Sequence, residues 1–311
     1  MKTPPFLRSG DKIALVAPAR KILRDEISKA VSMIEQRGFE PVFDERLFAE
    51  NHQYAGDDAL RAQIFQERLD DAEIKAILFV RGGYGGLRIV DKLCFDTFIK
   101  QPKWLVGYSD STVFHGKLQQ IGFESLHATM PINFDTNTKQ AINSLFDALE
   151  GKPIEYCIEK HELNKTGTAE APIVGGNLSV LYSMLGSEIF PDTRNKILFI
   201  EDLDEYLYHI DRMVLALKRA GIFKNLSALV VGGMTTMRDN AIPFGKTAEQ
   251  IIAEHVSEYD FPVCFGFPAG HFDNNKAFVL GAETHLEVTK SGVLFKESRY
   301  FERSDNEIEK S

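Results

Sequence analysis

Ser109, Glu201 and His271 are side chains that can together break an acyl bond. A serine hydroxyl attacks a carbonyl when a base takes its proton. An imidazole serves as that base when a carboxylate fixes its tautomer and stabilises its charge. The chain offers the three in the order serine, acid, histidine. The oxyanion that forms needs backbone donors. Gly83 can bring an N–H close to a substrate oxygen because no side chain intervenes, and the N–H of Asp110 directly follows the serine. One such donor contributes roughly 3 to 4 kcal/mol of transition-state stabilisation. Each residue also has a plain structural use. Ser109 and Asp110 can cap a helix, the glycines can close a turn, Glu201 and Asp202 can cap the turn that follows them, and His271 can donate to a loop carbonyl.

The elements that must position these groups can be read from the apolar pattern. The run Trp104-Leu105-Val106-Gly107 stops at Tyr108-Ser109-Asp110-Ser111-Thr112, and a helical pattern follows at Val113, Leu118 and Ile121. A strand that turns tightly into a helix lifts one side chain out of the sheet and leaves the following amides free to face its target. Ser109 occupies that place. Ser111 is the other hydroxyl available, but it falls where the helix has begun. Buried strands are expected at 12–17, 41–43, 74–80 and 125–127, with helices from Ile22 to Gly38, from Asp57 to Leu69 and at 87–93. Strands alternating with helices imply a parallel sheet covered on both faces, with ligands beyond the carboxyl ends of the strands. Gly82-Gly83, Ser109-Asp110, Glu201-Asp202 and Gly270-His271 all fall at such ends.

The chain of 311 residues is long enough for two cores. The pattern weakens at 151–170, which reads as a linker between an N-terminal α/β domain at 1–150 and a smaller α/β domain at 171–311. In the second domain, strands are expected at 196–200, 228–231 and 262–267, with helices at 178–185, 207–219 and 247–256 and antiparallel strands from Val279. The charged tail from Glu302 is expected to fray. A formal net charge of -9 argues against nucleic acid as the main partner, since no basic excess is available for phosphates. Cys94, Cys157 and Cys264 form neither a disulfide framework nor a Cys-x-x-Cys motif. The apolar run at 13–19 is too short for a signal peptide, and no run approaches a membrane span, so a cytoplasmic protein without membrane attachment is expected.

Several motifs fail on their spacing. The third glycine of a dinucleotide fingerprint starting at Gly83 would fall on Arg88. The first glycine of a phosphate loop ending Gly245-Lys246-Thr247 would fall on Asn240. His161-Glu162 is followed by Lys165 where a zinc-binding helix needs histidine, and the eight histidines show no metal-ligand spacing. Gly107-x-Ser109-x-Ser111 departs from the hydrolase elbow at its last position.

Five blocks carry a resemblance. They are Arg81-Gly82-Gly83-Tyr84-Gly85, Gly107-Tyr108-Ser109-Asp110, Gly175-Gly176-Asn177-Leu178, Leu198-Phe199-Ile200-Glu201-Asp202 and Gly266-Phe267-Pro268-Ala269-Gly270-His271. In this order, spread over nearly the whole chain, they resemble the signature blocks of the LD-carboxypeptidase (muramoyltetrapeptide carboxypeptidase) family of serine peptidases. The resemblance implies a flavodoxin-like parallel-sheet N-terminal domain and a smaller α/β C-terminal domain with the site at their interface. It implies Ser109 as nucleophile, Glu201 and His271 as its partners, and the amides of Gly83 and Asp110 as the oxyanion hole. It further implies a homodimer, no metal or organic cofactor, and a murein tetrapeptide substrate that loses its terminal D-alanine during peptidoglycan recycling in the cytoplasm. Arg81 and Asn177 are plausible substrate contacts, Arg81 for a carboxylate. Arg81 can equally pair with an acidic residue across the domain interface, and His127 can be structural. Two other functions stay open. One is an immunity-type peptidase cleaving a toxic peptide-nucleotide conjugate of the microcin C type. The other is a non-catalytic peptide-binding protein, which would have no need of an intact Ser/Glu/His set.

Overall fold

The computed structural model describes residues 1–298, so the charged tail from Glu302 lies outside the described residues. The chain divides into two compact units. Unit 1 comprises 1–152 and 273–279, and unit 2 comprises 153–272 and 280–311.

Unit 1 opens with β1 (Lys12–Val16), α1 (Asp25–Gln36), β2 (Glu40–Val42), α2 (Asp58–Asp70), β3 (Ile74–Phe79), α3 (Asp96–Lys100), β4 (Trp104–Gly107), α4 (Thr112–Gln120), β5 (Ser125–His127) and α5 (Lys139–Leu149). The pairs β1–β2, β1–β3, β3–β4 and β4–β5 are all parallel. Their spatial order, 2-1-3-4-5, is the flavodoxin-like order, which reverses direction between β1 and β3. The apolar runs explain it, because β1, β3 and β4 are buried along nearly their whole length, as strands covered on both faces must be. Helix starts are written in the side chains: Asp57 accepts from the Leu60 N–H at the head of α2, and Thr138 from the Ala141 N–H at the head of α5. The helix expected at 87–93 is instead two short 3₁₀ turns, Gly86–Arg88 and Val90–Lys92. The five-residue α3 and the amphipathic α5 were absent from the sequence reading.

Unit 2 contains β6 (Glu155–Glu159), β7 (Gly167–Asn177), α6 (Leu178–Met184), β8 (Ile197–Leu203), α7 (Leu207–Arg219), β9 (Ala228–Thr235), α8 (Ala248–Val256) and β10 (Val263–Phe265). Three strands follow: β11 (Phe278–Leu280), β12 (Glu283–Val288) and β13 (Gly292–Glu297). The seven-stranded sheet has the order β10-β9-β8-β7-β12-β13-β6. The eleven-residue β7 joins two styles of pairing. Its first half runs antiparallel to β12, and its second half parallel to β8. The stretch 151–170, expected as a linker, therefore carries β6 and the start of β7. Its alternating, half-exposed side chains hid an edge strand that pairs with β13. β11 does not continue the antiparallel run either, because it returns to the first sheet beside β5.

Candidate active site

In unit 1, β4 ends at Gly107 and the chain turns through Ser109–Ser111 into α4. Ser109 sits at φ 63°, in the left-handed region that non-glycine residues avoid. Such strain persists only where its surroundings enforce it, and it marks a sharp strand-to-helix elbow. The capping role is not what these residues do, since neither turn that begins here has a side-chain cap. Ser111 is 2% exposed and lies against Gly107, whereas Ser109 is part-exposed. The sharp turn and the exposure thus single out Ser109.

The floor beneath this turn is rigid. Phe79 at the end of β3, Phe65 on α2 and Phe114 on α4 pack with ring centroids 5.0 to 5.3 Å apart. Such aromatic pairs contribute about 0.5–1.5 kcal/mol each beyond their burial. His115, also on α4, is fully buried, and burial pushes it down to about 4, so the ring is neutral. Its Nε2 lies 2.9 Å from the Gly107 carbonyl and its Nδ1 2.8 Å from the Ser125 hydroxyl. A carbonyl only accepts, so Nε2–H donates to Gly107 and Nδ1 accepts from Ser125. His115 thereby pins α4 to the end of β4, a role that no local pattern announced.

The glycine-rich loop after β3 lies against the elbow. A Cβ on Gly82 would come within 3.1 Å of the Ser109 Oγ, so the absence of a side chain there is what leaves room for the hydroxyl. Gly83 has φ 108° and carries the aliphatic stem of Arg20 over it. Arg81 places Nη1 3.7 Å from Glu26 on α1 of the same unit and 3.4 Å from the Lys21 carbonyl. Its acidic neighbour is therefore local, and the pairing is loose. His127 is fully buried and stacks on Phe278 with centroids 4.9 Å apart, a packing role at the β5 edge. Asp110 is buried, and its carboxylate accepts the Gly86 N–H at 2.7 Å. Burial raises it to about 6, with the loop amides working the other way.

In unit 2, Glu201 and His271 form a pair. His271 Nδ1 is 2.7 Å from Glu201 Oε2, with the carboxylate wholly buried. An ionised carboxylate only accepts, so Nδ1–H donates to it and Nε2 is left as the basic nitrogen. Burial works against a charge on His271, but Glu201 and, behind it, Asp202 outweigh this and raise the imidazole above its ordinary value of 6.5. The close approach depends on Gly270, where a Cβ would stand 3.1 Å from Glu201 Oε2.

Behind this pair lies an arrangement that sequence reading missed. Asn177 is 3% exposed, and its Nδ2 donates to Glu201 Oε1 at 3.2 Å and to Asp202 Oδ1 at 3.0 Å. Its Oδ1 accepts from the Val180 N–H and the Ser179 hydroxyl at the head of α6. Its amide thus braces two carboxylates and a helix start. Asp202 also accepts the Ser179 and Leu203 N–H groups at 2.8 Å. Burial, then the charge of Glu201, lift it to about 7. The signal available in sequence was the paired Glu201-Asp202 with Asn177 ending the neighbouring strand at the register partner of Glu201.

Comparison with known proteins agrees with this architecture. Residues 13–128 match the LD-carboxypeptidase N-terminal domain, and residues 170–286 match the LD-carboxypeptidase C-terminal domain. A probable murein peptide carboxypeptidase of Bacillus subtilis is 32% identical, with 94% of each chain covered. The crystal structure of muramoyltetrapeptide carboxypeptidase from Oxalobacter formigenes superposes with a TM-score of 0.84 at 26% identity, covering 92% of this chain and 98% of that one. The microcin C7 self-immunity protein MccF of Escherichia coli is 24% identical, with 94% of each chain covered. Family matches spanning both units, together with a relative 32% identical over nearly the whole chain, place it in the LD-carboxypeptidase family, as a serine-type carboxypeptidase.

Proposed function

We propose that the enzyme removes the terminal D-alanine from murein tetrapeptides by a Ser109–His271–Glu201 mechanism, as a cytoplasmic homodimer acting in peptidoglycan recycling. The observation that carries the reading is the left-handed Ser109 on its strand–turn–helix elbow. His271 Nε2 takes the Ser109 proton while Nδ1–H stays bonded to Glu201. Ser109 Oγ attacks the carbonyl of the diamino acid, and the oxyanion rests on the N–H groups of Gly83 and Asp110. His271 then passes its proton to the departing amine of D-alanine. Water, deprotonated by the same nitrogen, releases the tripeptide and restores the serine. The loosely paired Arg81 is available to a substrate carboxylate, and Arg81→Ala is expected to raise KM by roughly tenfold with little change in kcat.

Names of relatives support the substrate class. The Bacillus subtilis relative is named a murein peptide carboxypeptidase, and a murein tetrapeptide carboxypeptidase of Pseudomonas aeruginosa matches 89% of this chain. Three free thiols fit a reducing compartment, and among the described residues no helix is long and apolar enough to cross a membrane. The likeness to MccF keeps a peptide-nucleotide conjugate as the second substrate class. Mass spectrometry of the protein with a murein tetrapeptide, beside Ser109→Ala, tests the proposal. Loss of one D-alanine by the wild type alone supports it. Cleavage by both proteins would move the nucleophile away from Ser109. Cleavage by neither, with turnover of a peptide-nucleotide conjugate, would favour the second class. Light scattering of the eluting protein tests the homodimer.

A further inference from the structure

We propose that the Asp110 carboxylate and the Arg61 guanidinium form a clamp that holds the glycine loop 82–86 in place beside Ser109, which makes both of them positioning residues for the oxyanion site. The proposal rests on the reading of Ser109 as nucleophile and Gly83 as an oxyanion donor.

The loop needs such a clamp. Four of its five residues are glycines, so its backbone has little conformational preference of its own. An oxyanion donor accelerates a reaction only if it is already aimed when the charge appears. The structure supplies two handles, both buried. From one side, Arg61 on α2 donates through Nη1 to the Gly85 carbonyl at 3.1 Å and to the Pro18 carbonyl at 2.5 Å. Its Nη2 binds Asp58, and its guanidinium lies 4.8 Å from the centre of the Tyr54 ring. Arg61 is 1% exposed, so its guanidinium faces these partners rather than water.

From the other side, Asp110 Oδ2 accepts the Gly86 N–H at 2.7 Å. The peptide unit joining Gly85 to Gly86 is thus gripped at its carbonyl by Arg61 and at its N–H by Asp110. Asp110 is also the residue whose own N–H is the second proposed oxyanion donor. One residue therefore fixes the spacing between the two donors, with its backbone on the elbow and its side chain on the loop. The chemistry explains why aspartate stands here. A carboxylate accepts several N–H groups without offering a donor, whereas an asparagine amide would turn an NH₂ toward them. Burial raises the Asp110 carboxyl, and the nearby charge of Arg61 works in the opposite direction.

The test uses the full-length enzyme and a murein tetrapeptide, with Asp110→Asn, Arg61→Lys and Ser109→Ala measured together. Lysine keeps the charge of Arg61 but cannot span two carbonyls and Asp58 with a planar fork. For both clamp variants, kcat is expected to fall roughly 10- to 100-fold while KM stays within about threefold. Deuterium uptake of the peptide containing Gly85 and Gly86 is expected to rise, with uptake across β1 and β3 unchanged. Unchanged kcat, a loss confined to KM, or unchanged uptake at Gly85–Gly86 would overturn the clamp. Should Asp110→Asn lose its cooperative melt, Arg61→Lys decides by the same criteria. Ser109→Ala separates the two levels. If it is inactive while the clamp variants are fully active, the clamp fails and the nucleophile stands. If it retains turnover, the reading beneath the clamp fails.

Discussion

The Ser109 turn and the Glu201–His271 pair solve the same problem by different means. Each places a polar side chain near the carboxyl end of a buried parallel strand, and each is followed by a buried aspartate, Asp110 after Ser109 and Asp202 after Glu201. In both cases backbone N–H groups bond that aspartate. The difference lies in where the unfavourable energy sits. The serine turn holds it in backbone conformation, at φ 63°. The histidine site holds it in charge, because two carboxylates stand side by side and one imidazole beside them is pushed toward protonation. A conformational device is indifferent to pH, whereas a charge-based one is tuned by it.

That contrast can be broken experimentally, beginning with the largest effect. Ser109→Ala is expected to lower kcat by roughly 10⁶-fold with a normal fold, measured by release of D-alanine. Glu201→Gln is expected to cost roughly 10⁴-fold, because a glutamine amide can donate to Nδ1 and favour the wrong tautomer. The pH profile sharpens the comparison further. His271 must be neutral to act as base, and its raised value places the acid limb of kcat/KM above pH 6.5. Asp202→Asn removes one of the charges that raise it, so the limb is expected to move to lower pH, with kcat reduced about tenfold by loss of the bracing around Asn177. A limb that stays in place would show that charge does not distinguish the two sites.

Two smaller effects concern stability. Asp202 is raised to about 7 in the fold, so between the ordinary carboxylate range and pH 7 the folded protein binds more protons than the unfolded chain. Stability from this group is therefore present at low pH and lost as pH rises through about 7. The melting temperature of Asp202→Asn relative to wild type is expected to rise from pH 5 to pH 8. At the serine turn the expected effect is conformational. Ser109→Gly should melt above Ser109→Ala by the equivalent of about 1 kcal/mol, at every pH. Equal melting temperatures would remove backbone strain from the account.

Much of this was legible in the chain because strand ends announce themselves. An apolar run that stops at glycine, serine or a carboxylate fixes both the element and its polar end, as at Val80, Gly107 and Ile200. Helix starts at Asp57 and Thr247 carried their caps in plain view. What escaped was set by packing. β6 alternates between exposed and half-exposed residues, so its place as an edge strand depends on β13, which lies far along the chain. The parts played by Arg61, His115 and Asn177 were invisible for a related reason. An arginine on an amphipathic helix reads as surface, a histidine as ordinary, and an asparagine after two glycines as a turn or a contact. Only the fold shows that each spends its donors on the backbone or carboxylates that hold a reactive neighbour.

The late return of the chain to unit 1 has a consequence for synthesis. Residues 273–279 belong with 1–152, and β11 completes the first sheet beside β5. As the chain leaves the ribosome, the sheet that carries Ser109 keeps an open edge until residues 153–272 of unit 2 have followed. No single cut between residues 152 and 153 can yield two finished halves, because the first would lack its border strand. The peptide that closes that border begins two residues after His271. A nascent chain thus has no complete first sheet before His271 has been made, and a truncated product is left with an unsealed sheet.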